Sequence, residues 1–193
     1  PLETRFNISA YGCLGYELDL SLLSPLDKAE IVRQIEYYKK HRQTFQYGTF
    51  YRFDKEEKYE MFEVLGEEEA IVSKFRRIVN AVPTYDKLCA YGLNEEEIYQ
   101  IESKPYLHNL KMFGNLVNFI TPVKINSEGK LMDTISKLKG LEASFQEYSA
   151  SGSALKEGVC LNPLFLGSGY NKDIRIPLDY GSDMYEIREK KGK

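Results

Sequence analysis

Residues 24–53 read SPLDKAEIVRQIEYYKKHRQTFQYGTFYRF, and this stretch decides the fold of the chain. Ser24 can cap the free backbone amides of a helix, and Pro25 suits the first helical position. Glycine, here Gly48, is common directly after the last residue of a helix. The pattern therefore predicts a long helix that ends at Gly48. Its apolar stripe repeats at helical spacing and comprises Ile31, Ile35, Tyr38 and Phe45.

Upstream of this helix, polar and apolar residues alternate in residues 5–12, and the alternation breaks at Gly12 and Gly15. Such a pattern predicts a short strand that runs into a glycine-rich loop. The strand, the loop and the helix form one β/α step, which cannot cover its own apolar strand alone. Since no initiator Met precedes Pro1, we expect the partner strands to lie upstream, in a longer protein.

Downstream of Gly48 the chain changes to short runs of Tyr, Phe, Ile and Val, separated by charged or Gly/Pro turns. Short strands with frequent turns are typical of an antiparallel β-sandwich. Helical spacing returns in residues 110–119 and, as a single turn, in residues 153–157. The predicted strands are residues 49–53, 59–65, 70–78, 87–92, 98–103, 144–149, 173–177 and 184–189.

Charge and hydropathy exclude several classes of function. The 193 residues include 26 Lys and Arg against 29 Asp and Glu, which gives a net charge of −3. Such a protein has no positive field for a polyanion, and no apolar run reaches the roughly 20 residues of a membrane helix. We therefore expect no nucleic acid and no membrane as a partner. No signal peptide is visible, so we expect a cytoplasmic location.

The cysteines and histidines form no recognisable metal or redox motif. Cys13, Cys89 and Cys160 lie far apart without a CxxC pair, which favours reduced and buried thiols. His41 and His108 are 67 positions apart and lack a zinc-binding pattern. We expect no metal site and no cofactor.

The sequence also lacks the common catalytic motifs. There is no GxSxG, and the glycines in residues 12–15 and 167–169 lack the helix start or the lysine of a phosphate-binding loop, so we interpret both as turns. Glu17 and Asp19 form an acidic pair beside the predicted strand-to-loop transition. A glycosidase could use such a pair as nucleophile and acid, although a capping or solvated role is the commoner explanation.

Eight blocks of sequence, in their order and spacing, resemble one enzyme family. The blocks are PLETRFN at 1–7, GYELDL at 15–20, QIEYYKKHR at 34–42, QYGTFYR at 46–52, SKPY at 103–106, GNLVN at 114–118, GSGYN at 167–171 and DYGS at 179–182. The chain resembles the C-terminal portion of the α-galactosidases of glycoside hydrolase family 36, of the clostridial type. The likeness spans essentially the whole chain.

This resemblance implies a parent protein with an N-terminal β-supersandwich, a central (β/α)8 barrel and a C-terminal antiparallel β-sandwich. Residues 1–47 would be the last strand and helix of the barrel, and residues 48–193 would be a Greek-key-like sandwich, which makes the chain mainly β. The resemblance further implies a retaining exo-α-galactosidase, expected to be a homo-oligomer, that acts on terminal α-galactosyl residues. Its two catalytic aspartates would lie upstream of Pro1, so we expect no catalytic residue here and no activity of the chain alone.

The loop that follows the last barrel strand would lie at the mouth of the barrel, where barrel enzymes place their active sites. The resemblance thus implies a rim around the substrate rather than a catalytic role for this loop. The expected rim residues are Gly12, Gly15, Tyr16, Glu17 and Asp19.

Two other hypotheses stay open at the level of sequence. The chain could be a carbohydrate-binding module that stacks sugars on tyrosine rings, although the absence of Trp weakens this reading. It could also be a small hydrolase that uses Glu17 and Asp19, although two carboxylates on one strand hardly reach opposite sides of a sugar. The candidate rings of the binding module are Tyr47, Tyr51, Tyr106 and Tyr170.

Overall fold

The computed structural model describes residues 1–53, 59–79, 86–119, 123–164, 175–176 and 178–191. It contains two compact units, of which unit 1 comprises Pro1–Gly15, Tyr38–Lys104 and Ser144–Lys193, and unit 2 comprises Tyr16–Tyr37 and Pro105–Ala143. The helices are α1 (Leu2–Ser9), α2 (Pro25–Tyr47), α3 (Lys130–Leu138) and α4 (Gly152–Glu157), with 3-10 segments at Leu20–Leu22 and Leu110–Phe119. The strands are β1 (Thr49–Arg52), β2 (Tyr59–Leu65), β3 (Ala70–Arg76), β4 (Lys87–Leu88), β5 (Ile98–Ser103), β6 (Leu107–Asn109), β7 (Gly140–Glu142), β8 (Glu147–Ser151), β9 (Val159–Cys160) and β10 (Ser182–Glu189).

Unit 1 is built around a six-stranded sheet with the strand order β1-β2-β3-β10-β5-β8. Every neighbouring pair in this sheet is antiparallel. The last strand in the sequence, β10, lies in the interior of the sheet and bonds to both β3 and β5. The short strands β4 and β9 form a second antiparallel pair. The mainly β, antiparallel class predicted from the sequence is confirmed.

One face of the sheet carries the apolar core of unit 1. Side chains alternate across a strand, so every second residue of β3, β5 and β10 points to this face. Leucines and alanine from β4, α4 and the segments beside them close the core from the other side. Its buried members are Ala70, Val72, Leu88, Ala90, Tyr99, Ile101, Leu155, Leu161, Tyr185 and Ile187.

The opposite face of the sheet is covered by α1 and by the C-terminal half of α2. The ring of Tyr11 lies edge-on to both Phe45 of α2 and Phe62 of β2. The Tyr11 hydroxyl donates to Ser73 Oγ of β3 at 2.8 Å. Aromatic packing and a buried hydroxyl bond therefore fix the helices on this face.

The strand predicted in residues 5–12 is wrong, because α1 occupies residues 2–9. The buried residues of this segment are Glu3, Phe6, Asn7 and Ala10, which follow helical spacing. Two of them are polar and are buried with remote partners: Glu3 bonds Lys104 at 2.7 Å and Asn7 bonds Ser182 at 2.8 Å. The alternation of polar and apolar residues is therefore misleading here, because some of the polar residues of α1 are buried.

Helix α2 is confirmed with the predicted ends. Ser24 Oγ accepts the backbone N–H of Asp27 at 3.1 Å, as an N-cap residue does. Pro25 is the first helical residue, and Gly48 follows the last one. Ile31, Tyr38 and Phe45 of the predicted stripe are buried, while Ile35 is half-buried. The buried stripe also contains Gln34 and His41.

Unit 2 contains the antiparallel pair β6 and β7, the 3-10 segment and α3. The 3-10 segment is kinked at Gly114, which has a φ of 49° and falls within the predicted helical residues 110–119. Helix α3 packs Met132 inward and was not predicted. Its signal was present, because Leu131, Ile135 and Leu138 have helical spacing.

Most predicted strands agree with the structure. β2 and β5 have the predicted limits, and β1, β3, β8 and β10 differ by a few residues. The predicted strand at 87–92 shortens to β4, and β6, β7 and β9 were not predicted. Most of the strand predicted at 173–177 lies outside the described residues. The helical turn at 153–157 is confirmed as α4.

The three thiols are free, but two of them are not buried as expected. Cys13 and Cys160 are exposed, and Cys89 is half-buried. Cys13 lies in the loop after α1, and Cys160 lies in a two-residue strand at the surface. No described helix has the length and apolarity required to cross a bilayer.

Candidate functional site

The expected rim loop begins in unit 1 with Gly12 and Gly15, which are both exposed. The carbonyl of Gly12 accepts the Tyr38 hydroxyl at 3.3 Å, so the start of the loop is tied to α2. A Cβ added to Gly15 would meet nothing within 4 Å. Neither glycine is therefore required by a close contact within the described part of the chain.

The remaining rim residues belong to unit 2 and have separate local partners. The Tyr16 hydroxyl donates to Gln34 Oε1 at 2.7 Å, while Glu17 is exposed. Asp19 Oδ1 accepts the backbone N–H and the hydroxyl of Ser21 at 2.9 and 2.6 Å. These two bonds lower the pKa of Asp19. Asp19 caps the 3-10 turn at Leu20–Leu22, which is the capping role that sequence favours for this acidic pair.

The rings of the binding-module hypothesis do not form one stacking platform among the described residues. Tyr47 is 76% exposed, whereas Tyr51 lies edge-on to Tyr91 and Tyr106 lies edge-on to His108. Tyr170 and the glycines at 167–169 lie outside the described residues. A sugar platform needs open ring faces, and of the three described rings Tyr47 presents the most exposed one.

Five charged side chains form a buried ion cluster, here called the Asp86 cluster. Three cations share one oxygen, Asp86 Oδ2: Arg76 Nη2 at 2.6 Å, Arg175 Nη2 at 3.1 Å and Lys74 Nζ at 3.3 Å. Asp183 Oδ2 completes the cluster at 3.5 Å from Arg76 and 3.4 Å from Arg175.

The charges of this cluster are strongly coupled. Burial raises the pKa of Asp86, but the three cations outweigh burial and hold the pKa at about 2. Burial lowers the pKa of Lys74 to about 7, against the attraction of Asp86. Lys74 Nζ also donates to the carbonyl of Lys87 at 3.0 Å and lies 3.5 Å from the centre of the Tyr59 ring. Every contact of Lys74 described here is internal, as expected of a structural cluster.

A second group, here called the His41 cluster, joins α2 to the sheet. His41 Nδ1 lies 2.7 Å from Glu69 Oε1, and His41 Nε2 lies 3.3 Å from Glu186 Oε1. Arg188 Nη2 lies 2.7 Å from Glu69 Oε2 and also contacts Glu186. Lys40 Nζ lies 3.7 Å from Glu186. The imidazole is 1% exposed and is surrounded by charged groups.

His41, Glu69 and Glu186 place three potential ligand atoms within 4.8 Å of one another, the spacing of a metal centre. The carboxylates are already paired with Arg188 and His41, and a metal ion would have to displace these cations. The pKa of Glu186 is about 2, because His41, Arg188 and Lys40 outweigh the effect of burial. The geometry therefore favours an ion-pair cluster over a metal centre.

A single buried carboxyl, Glu63 of β2, has a different environment. It is 0% exposed, and its cross-strand neighbours are Tyr51 and Val72. Glu63 Oε2 accepts the backbone N–H of Tyr91 at 2.8 Å, while Oε1 has no hydrogen-bond partner in the described part of the chain. Burial raises the pKa of Glu63 to about 8, and the bond from Tyr91 offsets this rise only in part.

Sequence reasoning missed all three of these buried groups. His41 could have been found, because it continues the buried stripe of α2 three residues after Tyr38 and four before Phe45. The Asp86 cluster offered no such signal, since its members come from two distant stretches of the sequence, and Asp86 and Arg175 are 89 positions apart.

Comparison with known proteins shows which proteins this chain resembles. Residues 1–48 match the model of the melibiase family. The chain is 35% identical over 105 residues to α-galactosidase AgaA of Geobacillus stearothermophilus, and 38% identical over 103 residues to α-galactosidase 1 of Pediococcus pentosaceus. These alignments cover 52% and 51% of this chain, and 14% of each relative.

Solved structures share the fold over nearly the whole chain. The α-galactosidase of Lactobacillus brevis matches 100% of this chain with a TM-score of 0.64 and 18% identity. A variant of AgaA in complex with raffinose matches 98% of this chain with a TM-score of 0.63 and 23% identity. This chain covers 20% of each of these proteins. The melibiase match, the aligned relatives and the shared fold together support the resemblance of this chain to the C-terminal portion of the α-galactosidases of glycoside hydrolase family 36.

Proposed function

We propose that this chain is the non-catalytic C-terminal part of a retaining exo-α-galactosidase that hydrolyses terminal α-galactosyl residues of oligosaccharides. In this proposal residues 1–47 complete the catalytic barrel and residues 48–193 form the sandwich that supports it. The two catalytic aspartates belong to the rest of the parent protein. The expected rim residues Gly12, Gly15, Tyr16, Glu17 and Asp19 then border the substrate without reacting with it.

The state of the carboxylates carries this proposal. A glycosidase needs two carboxyl groups that face a sugar from opposite sides. In the described residues, Asp19 is engaged by Ser21, and the buried pairs Asp86 with Asp183 and Glu69 with Glu186 are neutralised by cations. None of these carboxylates is available to act as a nucleophile or as an acid.

The substrate class is proposed from the relatives. Structures of AgaA variants contain raffinose and stachyose, which supports an oligosaccharide as the substrate of the parent protein. The clostridial type, the homo-oligomeric state, the cytoplasmic location and the domain boundary at residue 47 stay predictions from sequence.

We predict that the purified chain releases no product from a chromogenic α-galactoside between pH 4 and pH 9, because we expect both catalytic aspartates to belong to the rest of the parent protein. The assay measures release of the chromophore at high protein concentration. A full-length family 36 enzyme serves as the positive control, and a Glu17→Gln, Asp19→Asn double variant is assayed in parallel.

Turnover by the chain that the double variant abolishes would show a complete site and would overturn the proposal. In the expected case, adding the missing part of the parent protein should restore activity. The double variant should then keep the catalytic steps intact, so that any loss is confined to substrate affinity. Failure of the mixed halves to gain any activity, although they bind each other, would also count against a supporting role.

A further inference from the structure

In the His41 cluster, one imidazole ring connects helix α2 to the six-stranded sheet. His41 comes from the C-terminal half of α2, Glu69 from the turn before β3, and Glu186 from β10. The two ring nitrogens face the two different carboxylates, at 2.7 and 3.3 Å. The ring is thus a direct link between this half of the helix and two carboxylates of unit 1.

The charge state of the ring decides whether both contacts can be hydrogen bonds. A protonated imidazole donates from both nitrogens, whereas a neutral imidazole has one N–H and presents a lone pair at the other nitrogen. The neutral ring would therefore turn a lone pair toward Glu69 or Glu186, both of which are anionic. The repulsion between this lone pair and the carboxylate would be poorly screened, because the ring is buried.

The neighbouring groups favour the protonated ring. Burial lowers the pKa of His41, but the hydrogen bonds and charges of Glu186 and Glu69 outweigh burial, and the net effect raises the pKa. The other charged groups are Arg188, which bonds Glu69 and contacts Glu186, and Lys40, which lies near Glu186. Thr44 Oγ1 donates to Glu69 Oε1 at 2.9 Å and so fixes that carboxylate.

We propose that His41 is a proton-operated latch, which strengthens the attachment of the C-terminal half of α2 to the sheet when it is protonated and weakens that attachment when it loses the proton. A group whose pKa is raised on folding stabilises the fold below its unfolded pKa, here 6.5, and this contribution is lost as the pH rises through the folded pKa. The latch is therefore closed in mildly acidic solution and weakens in alkaline solution. It depends only on residues of this chain and not on the proposed enzymatic function.

The first test is a proton titration by NMR of the full chain with ¹³C-labelled histidine. The chain has two histidines, so the spectrum contains two ring signals, and a His108→Gln variant assigns them. We expect the His41 signal to titrate with a pKa above 6.5. We expect Glu69→Gln and Glu186→Gln each to lower that pKa, while Glu67→Gln, an exposed change on the same turn, leaves it in place. A wild-type pKa at or below 6.5, or one that neither glutamine variant moves, would overturn the proposal.

The second test measures release of the helix by hydrogen exchange. Protection factors of the amides in residues 42–47, corrected for the intrinsic rate at each pH, should fall between pH 5.5 and pH 8.5 in the wild-type chain. Because Glu63 also titrates in this range, both proteins carry Glu63→Gln, and in that background protection should be low and independent of pH in His41→Gln, which cannot be protonated. Equal protection at both values in the wild type would show that the ring is only a packed structural residue.

Discussion

Replacing Asp86 with alanine is expected to lower the free energy of unfolding by roughly 3–5 kcal/mol, the usual loss when one partner of a buried ion pair is removed. Asp86 Oδ2 is shared by Lys74, Arg76 and Arg175, so its removal leaves three buried cations with Asp183 as their remaining carboxylate. The measurement is urea unfolding followed by far-UV circular dichroism, since the chain has no Trp for fluorescence.

Glu95 provides the control for this experiment. Glu95 Oε1 lies 2.6 Å from Lys156 Nζ, the same distance as that between Asp86 Oδ2 and Arg76 Nη2. The side chains of Glu95 and Lys156 are, however, both more than half exposed. Surface pairs contribute at most about 1 kcal/mol, so Glu95→Ala should be nearly neutral. Equal and small losses in Asp86→Ala and Glu95→Ala would contradict the view that burial makes the Asp86 cluster important.

Replacing Glu63 with glutamine should instead stabilise the chain, by about 3 kcal/mol at pH 7. The reason is that the pKa of Glu63 rises from 4.5 to about 8 on folding, so the folded state must hold a proton that the unfolded state gives up. This destabilisation is absent below pH 4.5, grows between pH 4.5 and pH 8, and is constant above. Glutamine is neutral at every pH and can still accept the backbone N–H of Tyr91.

Unfolding experiments at pH 5 and pH 8 check this prediction. The gain from Glu63→Gln should be under about 1 kcal/mol at pH 5 and should reach its full size at pH 8. Glu67→Gln, at an exposed position after the same strand, should change stability little at either pH. A loss of stability in Glu63→Gln at pH 8 would mean that the ionised carboxylate is needed in the fold.

The elements with a clear hydrophobic period could be predicted from sequence. β2 alternates inward and outward residues, and β5 does the same, so their limits were found without knowledge of the neighbours. Helix α2 was predicted because Ser24, Pro25 and Gly48 mark its ends locally. These signals lie within a few residues of the element that they define.

What could not be predicted depends on partners far away in the sequence. Glu3 is buried because Lys104 lies 2.7 Å away, and the two residues are 101 positions apart. Without that partner a buried carboxylate is unfavourable, so the local sequence of residues 5–12 favours a half-exposed strand over α1. The capping or solvated role expected for Asp19 is general to such carboxylates, and its capping partner, Ser21, lies only two residues away. The paired charges of the Asp86 cluster, in contrast, could be seen only in the folded chain.

The interior position of β10 affects how this chain is made as well as how it is held together. β10 is the last strand in the sequence, but it joins the ladder of β1, β2 and β3 to the ladder of β5 and β8. Without β10, the ladders β1-β2-β3 and β5-β8 would be two separate sheets, with β3 and β5 as open edges. Open edges can pair with strands of other chains. The pairing of β10 with β3 is slow to form, because these strands are distant in sequence. Association with other chains should therefore be easiest while β10 is not yet in place.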